Sequence, residues 1–360
     1  MTNREKSAVI AMSGGVDSTV AAYLMKEAGY RCMGVTMRLY RSSGSCGSQQ
    51  DIDDARNAAL LLGIPFETVD LSDVFRKQIV ESFIKVYEEG GTPNPCIDCN
   101  KYMKFDRLLS YASGAGFRYI VSGHYARTEY DAASGRYLLR KGLDASKDQS
   151  YYLYRLSQEQ LSRIIFPLGE LTKKEVRALA ERQGFPNSKK RDSQDICFVQ
   201  NGDYAGFMEE YTGKKYPGGV FLDVSGKTLG THRGAVRYTI GQRKGLGIAA
   251  GEPIYVVDKD MQQNTVTVGP EKYLYHSALL AKDMNWISVG GIKEPVRCKA
   301  KTRYRQQEQP ATVYPAGEGA VKVVFDEPQR AIAKGQAVVL YDGDTVVGGG
   351  TILSVCSPED

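Results

Sequence analysis

The 360-residue sequence contains no long hydrophobic run, only three histidines and no low-complexity segment. A membrane-spanning helix needs about 18 or more consecutive apolar residues, and no run approaches that length. The amino terminus also lacks the apolar core of a signal peptide. These absences predict a protein that stays in the cytoplasm and has no membrane partner. No two histidines are paired at helical spacing, so we do not expect a zinc site built on histidine.

Cysteine is scarce as well, with seven in the chain. An odd number in a sequence of this length argues against a secreted disulfide framework and for free, metal-bound or catalytic thiols. With 42% hydrophobic and 25% charged residues, the composition is that of an ordinary globular protein and excludes a disordered or fibrous one. A length of 360 residues exceeds what one hydrophobic core usually organises, which predicts two or three domains.

Positive charge exceeds negative charge only slightly, with 47 Lys and Arg against 42 Asp and Glu and a net charge of +5. This balance permits a polyanionic partner without requiring one. Basic residues nevertheless occupy alternate positions around Tyr304, namely Arg297, Lys299, Lys301, Arg303 and Arg305. On a β-strand they would share one face. Two interpretations remain open: a solvated strand face, or a surface that neutralises phosphates while Tyr304 stacks on a base.

The first 200 residues alternate between strand-like and helix-like patterns. The predicted strands are residues 8–12, 33–37, 66–71 and 119–122, and the predicted helices are residues 17–27, 53–62, 74–87 and 102–111. This alternation predicts an α/β fold with a doubly wound parallel sheet, whose ligands bind at the carboxyl ends of the strands. A capping box over residues 172–175 opens a further predicted helix that runs to residue 184.

After about residue 201 the pattern changes to glycine-rich turns and short β-like runs. The runs are residues 254–258, 265–268, 321–325, 337–341 and 345–347. Frequent turns between short strands, without intervening helices, are typical of small β-rich modules. We therefore predict a catalytic domain over residues 1–200, a central β-rich domain over residues 201–275 and a C-terminal β-barrel over residues 276–360.

The strongest chemical signal is the segment Ser13-Gly14-Gly15-Val16-Asp17-Ser18, which lies between a predicted strand and a predicted helix. Its two glycines let the backbone approach an anion, and a helix amino terminus supplies unpaired N–H donors. The segment lacks the lysine of the Walker A pattern. It resembles the PP-loop of the ATP pyrophosphatases, which split ATP between the α and β phosphates and transfer AMP to an oxygen.

Three cysteines lie in polar loop sequence, where a buried inert thiol is not expected. Cys96 and Cys99 follow the proline-stiffened loop over residues 92–95, and Cys99 precedes a helix predicted to start near Lys101. A helix amino terminus lowers a thiol pKa and favours thiolate. Cys197 is flanked by polar and basic residues. For Cys32, Cys298 and Cys356 a packed, unreactive thiol is the better interpretation.

Beyond the phosphate loop, the sequence resembles the bacterial tRNA 2-thiouridylase family over nearly its whole length. The segments that carry the resemblance are residues 13–18, 94–95 with 99–100, 122–127, 147–152, 195–198, 238–247 and 301–305, in the family's order. The resemblance implies ATP-dependent 2-thiolation of the wobble uridine of tRNAs for Lys, Glu and Gln through an adenylated intermediate. It also implies a sulfur donor or sulfur-relay protein as a partner.

The resemblance assigns roles to individual residues. For the nucleotide site it implies Ala11, Met12, Ser13, Gly14, Gly15, Val16, Asp17, Ser18, Met37 and Gly123, with Asp17 helping to hold Mg²⁺. For tRNA contacts it implies Asn94, Pro95, Cys96, His124, Lys147, Asp148, Gln149, Arg303, Tyr304 and Gln336. For catalysis it implies that Cys197 carries a persulfide, that Cys99 acts on it and that the two end as a disulfide. His124, Met37 and the pair Tyr151–Tyr152 could equally be core residues.

One position departs from the family's usual form, in which the residue three before Cys99 is Asp. Here it is Cys96, and the set of Cys96, Cys99 and Cys197 is similar to that of tRNA thiolases that hold an iron–sulfur cluster with one open iron. Thiolates favour such clusters. Three alternatives stay open: a cluster held by these cysteines, a zinc site of the same ligands, or persulfide chemistry with Cys96 as a bystander.

Two other functions remain as alternatives. A small-molecule PP-loop amidating synthetase would turn over without RNA, but gives no reason for the cysteine set or the basic β-rich part. A non-catalytic, nucleotide-regulated RNA-binding protein would bind tRNA without forming AMP.

Overall fold

A computed structural model of the chain describes residues 6–40, 47–190, 195–199 and 202–359. The helices are α1 Val16–Glu27, α2 Gln49–Leu62, α3 Ser72–Phe75, α4 Glu81–Glu88, α5 Pro95–Asp98, α6 Leu108–Gly114, α7 Ser150–Leu153, α8 Gln158–Leu161, α9 Lys173–Arg182 and α10 Tyr204–Thr212. The strands are β1 Ser7–Ala11, β2 Arg31–Arg38, β3 Phe66–Asp70, β4 Tyr119–Val121, β5 Ala126–Asp131, β6 Arg136–Lys141, β7 Ile164–Ile165, β8 Gly219–Leu222, β9 Thr228–His232, β10 Tyr255–Asp260, β11 Thr265–Gly269, β12 Tyr275–Trp286, β13 Val296–Lys301, β14 Gln309–Pro315, β15 Val321–Arg330, β16 Ala337–Asp342 and β17 Thr345–Cys356.

The first part of the chain forms the predicted doubly wound parallel sheet, with strand order β3-β2-β1-β4-β7. The central strand β1 is almost entirely buried, which explains its uninterrupted apolar sequence. One face of the sheet packs against α1, α2 and α9, and the other packs against α6, α7 and the C-terminal barrel. The strand order reverses between β1 and β4, and open parallel sheets bind ligands beyond the carboxyl ends of their strands at such a reversal.

The helices differ from prediction in two places that bear on the cysteines. The predicted helix over residues 74–87 is interrupted by a π-helical stretch, Arg76–Val80, between α3 and α4. The predicted helix over residues 102–111 begins earlier, because helical backbone starts at Pro95 and continues through a π-helical stretch, Cys99–Arg107, into α6. Proline suits the first position of a helix, since its missing N–H would be unpaired there. Among the described helices, none is long and apolar enough to cross a membrane.

The remainder of the chain is mainly β-structure, as predicted. A small sheet has strand order β10-β11-β8-β9, and six antiparallel strands close into a barrel in the order β12-β15-β14-β13-β16-β17, where β17 pairs back with β12. The hairpin of β5 and β6 extends the barrel sheet through the pairing of Thr345 with Arg140. The predicted boundary at residues 200–201 lies outside the described residues, and the three-domain division stays a proposal.

The five alternating basic residues do not all lie on one strand. Strand β13 ends at Lys301, and Arg303 and Arg305 follow in a bend and a turn. Within the strand, Arg297 is exposed and forms a bidentate ion pair with Asp326, while the side chain of Lys301 is buried. The period-two pattern therefore continues past the point where the strand stops.

Candidate functional site

The phosphate loop joins the carboxyl end of β1 to α1, at the edge where the strand order reverses. The backbone N–H of Ser13 donates to Ser18 Oγ at 3.1 Å, and Ser18 Oγ donates to the Gly15 carbonyl at 3.0 Å. Gly15 is the N-cap of α1, and its extended backbone leaves the first N–H groups of the helix available. The loop therefore presents backbone donors at a helix amino terminus, the arrangement that binds phosphate groups.

Two glycines are required here by close approach. Gly14 has φ +73°, and a Cβ at this position would lie 2.4 Å from the backbone oxygen of Asp51 in α2. A Cβ on Gly123, in the loop after β4, would lie 2.8 Å from the backbone carbon of Asp17. Both contacts are shorter than a side chain tolerates. The loops after β1 and β4 thus meet at the predicted nucleotide site.

The other predicted nucleotide residues surround this loop. Met12 is buried at the end of β1, where its N–H donates to the Val35 carbonyl at 2.9 Å and its own carbonyl accepts from Thr36 Oγ1 at 2.6 Å. Ala11 and Met37 are half-buried and pack against the core. Val16 begins α1 and is buried. The structure thus brings the predicted residues of β1, β2 and α1 to one edge of the sheet.

Asp17 is paired with a lysine that sequence reasoning did not identify. Lys173 Nζ lies 2.8 Å from both carboxylate oxygens of Asp17, and the Tyr125 hydroxyl donates to Asp17 Oδ1 at 2.9 Å. Lys173 is the first residue of α9, whose predicted capping box of Thr172 and Glu175 is confirmed. The signal was present in the sequence as a lysine inside that box, but nothing in the pattern linked it to the phosphate loop.

The donor set does not match a resident Mg²⁺ site. Both oxygens of Asp17 face an ammonium group, and within the described ranges no three His, Cys, Asp or Glu side chains come together as metal ligands. Magnesium prefers several oxygen ligands and often arrives with the phosphates of a nucleotide. Any Mg²⁺ here is therefore better treated as part of the substrate.

Two further polar residues reach the phosphate loop from the segment after α9. Asn187 Nδ2 donates to the Gly14 carbonyl at 3.2 Å and to Thr19 Oγ1 at 2.9 Å. Lys190 Nζ lies 2.8 Å from Asp51 Oδ1, 2.7 Å from Asp54 Oδ2 and 3.4 Å from the Gly14 carbonyl. These carboxylates hold the Lys190 pKa above its ordinary value. Neither residue stands out in the amino-acid sequence.

Cys99 and Cys197 are 98 positions apart in the sequence, yet both pack against the same hydrophobic cluster. The cluster includes Phe75, Met103 and Phe198. Phe198 lies 5.2 Å from Phe83 and 5.7 Å from Phe75, ring centroid to ring centroid. An aromatic residue packed this way fixes the chain next to Cys197. Both thiols are partly exposed, which leaves them accessible to a reactant.

Cys96 has a different environment. It is exposed in the first turn of α5, and its thiol lies near Tyr152. Cys99, by contrast, follows one turn later, so the helix-terminus position predicted for Cys99 belongs to Cys96 instead. In the part of the chain that the structure describes, no group of three potential ligands forms a metal site. The arrangement of Cys96, Cys99 and Cys197 therefore does not fit a three-thiolate cluster site.

An aromatic surface lies beside Cys96. The rings of Tyr152 and Tyr304 are 4.4 Å apart, and Lys301 Nζ lies 5.9 Å from the Tyr304 ring. Tyr151 is buried beneath them, and its hydroxyl donates to the Ala337 carbonyl at 3.0 Å. Partly exposed aromatic faces beside cations suit the stacking of unpaired RNA bases.

Several predicted tRNA contacts are buried and engaged inside the protein. His124 packs between Phe105 and Phe166, and its Nδ1 lies 2.6 Å from Ser122 Oγ. Burial holds the pKa of His124 well below its ordinary value, so the ring is neutral at pH 7. Asp148 is buried as well and accepts hydrogen bonds from the N–H groups of Gly142 and Ser150. Packing and hydrogen bonding inside the protein therefore explain the presence of His124 and Asp148 without a contact to tRNA.

Gln149, Arg303 and Gln336 join separate parts of the chain. Gln149 Oε1 accepts from the Tyr125 N–H at 3.0 Å. Arg303 donates to the carbonyls of Ile240 and Ala331 at 3.2 and 2.7 Å, and so connects the central β-rich part with the barrel. Gln336 donates to the Thr92 carbonyl at 2.8 Å, which supports the loop leading to Asn94 and Pro95. Lys147 is half-buried and lies next to Asp148 in the chain.

Two of the three cysteines interpreted as packed residues are buried. Burial raises the pKa of Cys32 to about 11 and that of Cys298 to about 12. Both thiols therefore stay protonated and unreactive near neutral pH. Cys356, at the end of β17, is only partly buried.

Comparison with known proteins agrees with this architecture along the chain. Residues 6–201 match the family described as the tRNA methyl transferase HUP domain. Residues 205–270 match the tRNA methyl transferase PRC-barrel domain, and residues 276–352 match the aminomethyltransferase beta-barrel domain. A structural likeness to a 4-thiouridine synthetase–RNA complex with bound ATP is remote and carries no argument. Its TM-score is 0.36 at 20% identity, covering 54% of this chain and 45% of that one.

Relatives identified by sequence are much more similar to this chain than that structure is. The chain is 47% identical to a tRNA-specific 2-thiouridylase MnmA of Clostridioides difficile, over 96% of this chain and 98% of the relative. It is 50% identical to MnmA 1 of Caldanaerobacter subterraneus, over 96% of this chain and 97% of the relative. These alignments span nearly the whole length of both proteins. This chain therefore belongs to the MnmA family of tRNA-specific 2-thiouridylases, which are tRNA sulfurtransferases.

Proposed function

We propose that this enzyme uses ATP to replace the C2 oxygen of the wobble uridine in tRNAs for Lys, Glu and Gln with sulfur. One observation carries the proposal: a helix-terminus phosphate loop occurs in the same protein as two partly exposed thiols, Cys99 and Cys197, that pack on one cluster. The first can bind a nucleotide, and the second can exchange sulfur.

Activation by ATP answers a chemical difficulty. The C2 carbonyl oxygen of uridine is a poor leaving group, so sulfur cannot displace it directly. In the proposed first step this oxygen attacks the α-phosphorus of ATP, and pyrophosphate leaves. The donors around Gly15 and the ammonium of Lys173 would stabilise the charge on the departing phosphates, because such groups act strongly in a site shielded from water.

The second step transfers sulfur. A persulfide on Cys197, loaded by a sulfur donor or relay protein, attacks C2 through its terminal sulfur, and AMP leaves. The Cys99 thiolate then attacks the Cys197 sulfur, which releases 2-thiouridine and leaves a Cys99–Cys197 disulfide. A dithiol reductant must reduce this disulfide before the next turnover. Each exchange is ordinary thiolate attack on a neighbouring sulfur.

The tRNA would bind on the side of Cys96 and Tyr304. Bases of an anticodon loop are unpaired and can stack on tyrosines such as Tyr152 and Tyr304. Three further residues are close in sequence to this surface: Asn94 shortly precedes Cys96, Lys147 precedes Tyr152, and the exposed Arg305 follows Tyr304. The cations Lys147 and Arg305 would neutralise phosphates. We propose structural roles for His124, Asp148, Arg303 and Gln336, since each already has a partner within the protein.

A reconstituted reaction tests the proposal. Protein, MgATP, a persulfide donor, a dithiol reductant and unmodified tRNA are incubated together, and AMP and 2-thiouridine are measured by chromatography. We expect both products in equal amounts, and only when tRNA is present. AMP formation with a small acceptor and no tRNA would instead support an amidating synthetase. Tight tRNA binding without AMP would support a regulatory RNA-binding protein.

A further inference from the structure

Asn187 and Lys190, in the described residues after α9, both contact the backbone oxygen of Gly14 in the phosphate loop. Asn187 donates to this oxygen at 3.2 Å, and the Lys190 ammonium lies 3.4 Å from it. A planar trans peptide directs its carbonyl and its N–H to opposite sides. The contacts that hold the Gly14 carbonyl towards Asn187 and Lys190 therefore direct the Gly15 N–H away from them.

This peptide needs external support because glycine flanks it on both sides. Glycine occupies positive and negative φ about equally well, so a Gly–Gly peptide can rotate at little steric cost. A rotated peptide would turn the Gly14 oxygen towards the bound phosphates and withdraw the Gly15 N–H. An oxygen facing an anion is repulsive, so the orientation of this one peptide decides how well the loop binds phosphate.

The burial of Asn187 points to the same role. Its side chain is 6% exposed, and its Oδ1 atom has no hydrogen-bond partner among the described residues. A buried acceptor without a donor is costly, so packing alone gives no reason for an amide at this position. The Nδ2 group, by contrast, donates to both Gly14 and Thr19. The chain keeps an amide here for its donor.

Residues 187–190 are anchored to α9. Arg177 of α9 donates to the carbonyls of Ser188 and Lys190 at 2.9 and 3.2 Å. One turn earlier on the same helix, Lys173 pairs with Asp17. Helix α9 therefore aligns the segment and α1 against each other, and Asn187 and Lys190 approach the loop from a fixed direction.

We propose that Asn187 and Lys190 are positioning residues that orient the Gly14–Gly15 peptide for phosphate binding. The inference rests on the proposed use of ATP and goes beyond it by naming the groups that organise the loop. These residues touch the backbone of the loop and act on the nucleotide only through it. Their loss should therefore raise the ATP Kd and KM while kcat at saturating ATP changes little.

The test uses the full-length enzyme with MgATP. Asn187→Leu removes the donor and also the unpartnered acceptor, so we expect the ATP Kd to rise about tenfold while the Tm stays equal or increases. The matched control is Asn285→Leu, which loses hydrogen bonds to the carbonyls of Tyr154 and Leu156 far from the loop. That variant should lose Tm and keep wild-type ATP affinity.

Lys190 supplies a second variant in case Asn187→Leu does not fold. We expect Lys190→Met to weaken ATP binding and Lys190→Arg to restore most of it. The control Lys26→Met removes an ammonium that caps another helix through the Leu62 carbonyl. ATP binding at wild-type strength in folded Asn187→Leu and Lys190→Met would overturn the inference. A wild-type enzyme that binds no ATP would instead overturn the proposed function.

Discussion

The ammonium of Lys173 lies 2.8 Å from both carboxylate oxygens of Asp17, although the two residues are 156 positions apart. The Lys173 side chain is 10% exposed and that of Asp17 is 29% exposed, so the ammonium is the better shielded partner. The pair lies at the amino terminus of α1, where negative charge is favoured by the helix dipole. A phosphate entering the loop would compete with Asp17 for Lys173, which makes this ion pair sensitive to nucleotide.

Asp17→Asn should reduce AMP formation by about 100-fold while tRNA affinity stays unchanged. The neutral amide cannot hold the Lys173 ammonium in place, because the site loses the negative charge of the Asp17 carboxylate. AMP release is measured with saturating tRNA, and tRNA binding by filter retention. Asp223→Asn, in an exposed turn of the central part, is the control and should be fully active. Equal AMP yields in the two variants would contradict the nucleotide-site assignment.

Gly14→Ala should destabilise the fold more than Gly29→Ala. Both glycines have similar positive φ, +73° and +77°, so the backbone cost of alanine is alike, about 1 kcal/mol. Only at Gly14 does the new Cβ meet another atom, the Asp51 oxygen at 2.4 Å, which adds about 1–3 kcal/mol. Urea unfolding of both variants measures the difference. Equal losses in the free energy of unfolding would mean that α2 shifts to accommodate the new Cβ at little cost.

Arg303→Ala and Arg305→Ala should have different effects. Arg303 bridges Ile240 and Ala331, so its removal should lower the free energy of unfolding by about 2 kcal/mol. Arg305 is exposed, and its loss should weaken tRNA binding and reduce the salt dependence by about one unit of slope. Binding is titrated at several salt concentrations. An unchanged slope in Arg305→Ala would leave this arginine as a solvated side chain.

Cys197→Ser should release pyrophosphate but neither AMP nor 2-thiouridine, because serine cannot carry the sulfur that displaces AMP. Cys99→Ser should release AMP but no 2-thiouridine, because serine cannot attack the Cys197 sulfur. Cys356→Ser serves as the control and should retain both activities. Cys96→Asp separates the two sulfur routes. With a persulfide donor we expect it to be active, whereas a cluster-dependent enzyme would lose its iron and its activity with sulfide. Iron analysis of anaerobically purified wild type and Cys96→Asp, beside the activity assay, decides between them.

Lys259→Met should stabilise the protein near neutral pH. A β-bulge between Val256 and Asp258 turns Lys259 to the same side as buried Val266, and its ammonium has no hydrogen-bond partner in the part of the chain that the structure describes. Burial lowers the pKa of Lys259 from 10.5 to about 8. The folded state therefore disfavours the charged amine, at a cost of at most roughly 3 kcal/mol.

The stability cost of Lys259 should depend on pH, because its pKa is lower in the folded protein than in the unfolded chain. Below pH 8 the lysine is protonated in both states and the full cost is present. As pH rises from 8 towards 10.5, the folded protein loses this proton before the unfolded chain does, so the cost disappears. Unfolding of wild type and Lys259→Met at pH 7 and pH 10 should show a large difference at the first pH and a small one at the second. The exposed Lys227→Met is the control.

Local sequence patterns were enough to predict most of the strands and helices of the first domain and the class of site after β1. Apolar runs bounded by turns predicted the parallel strands, the capping box at Thr172 predicted α9, and the glycines after β1 predicted a phosphate loop. These signals are local, because each depends on residues within about one helical turn or strand. The family resemblance likewise depended on order and spacing along the chain.

Tertiary packing set which distant residues act together. It paired Lys173 with Asp17, brought Asn187 and Lys190 to the Gly14 carbonyl, and packed Cys99 and Cys197 on one cluster while leaving Cys96 exposed. It also buried His124 and ended strand β13 at Lys301. Such contacts are made by packing between elements far apart in the chain. The pattern of neighbouring residues therefore holds no direct record of them.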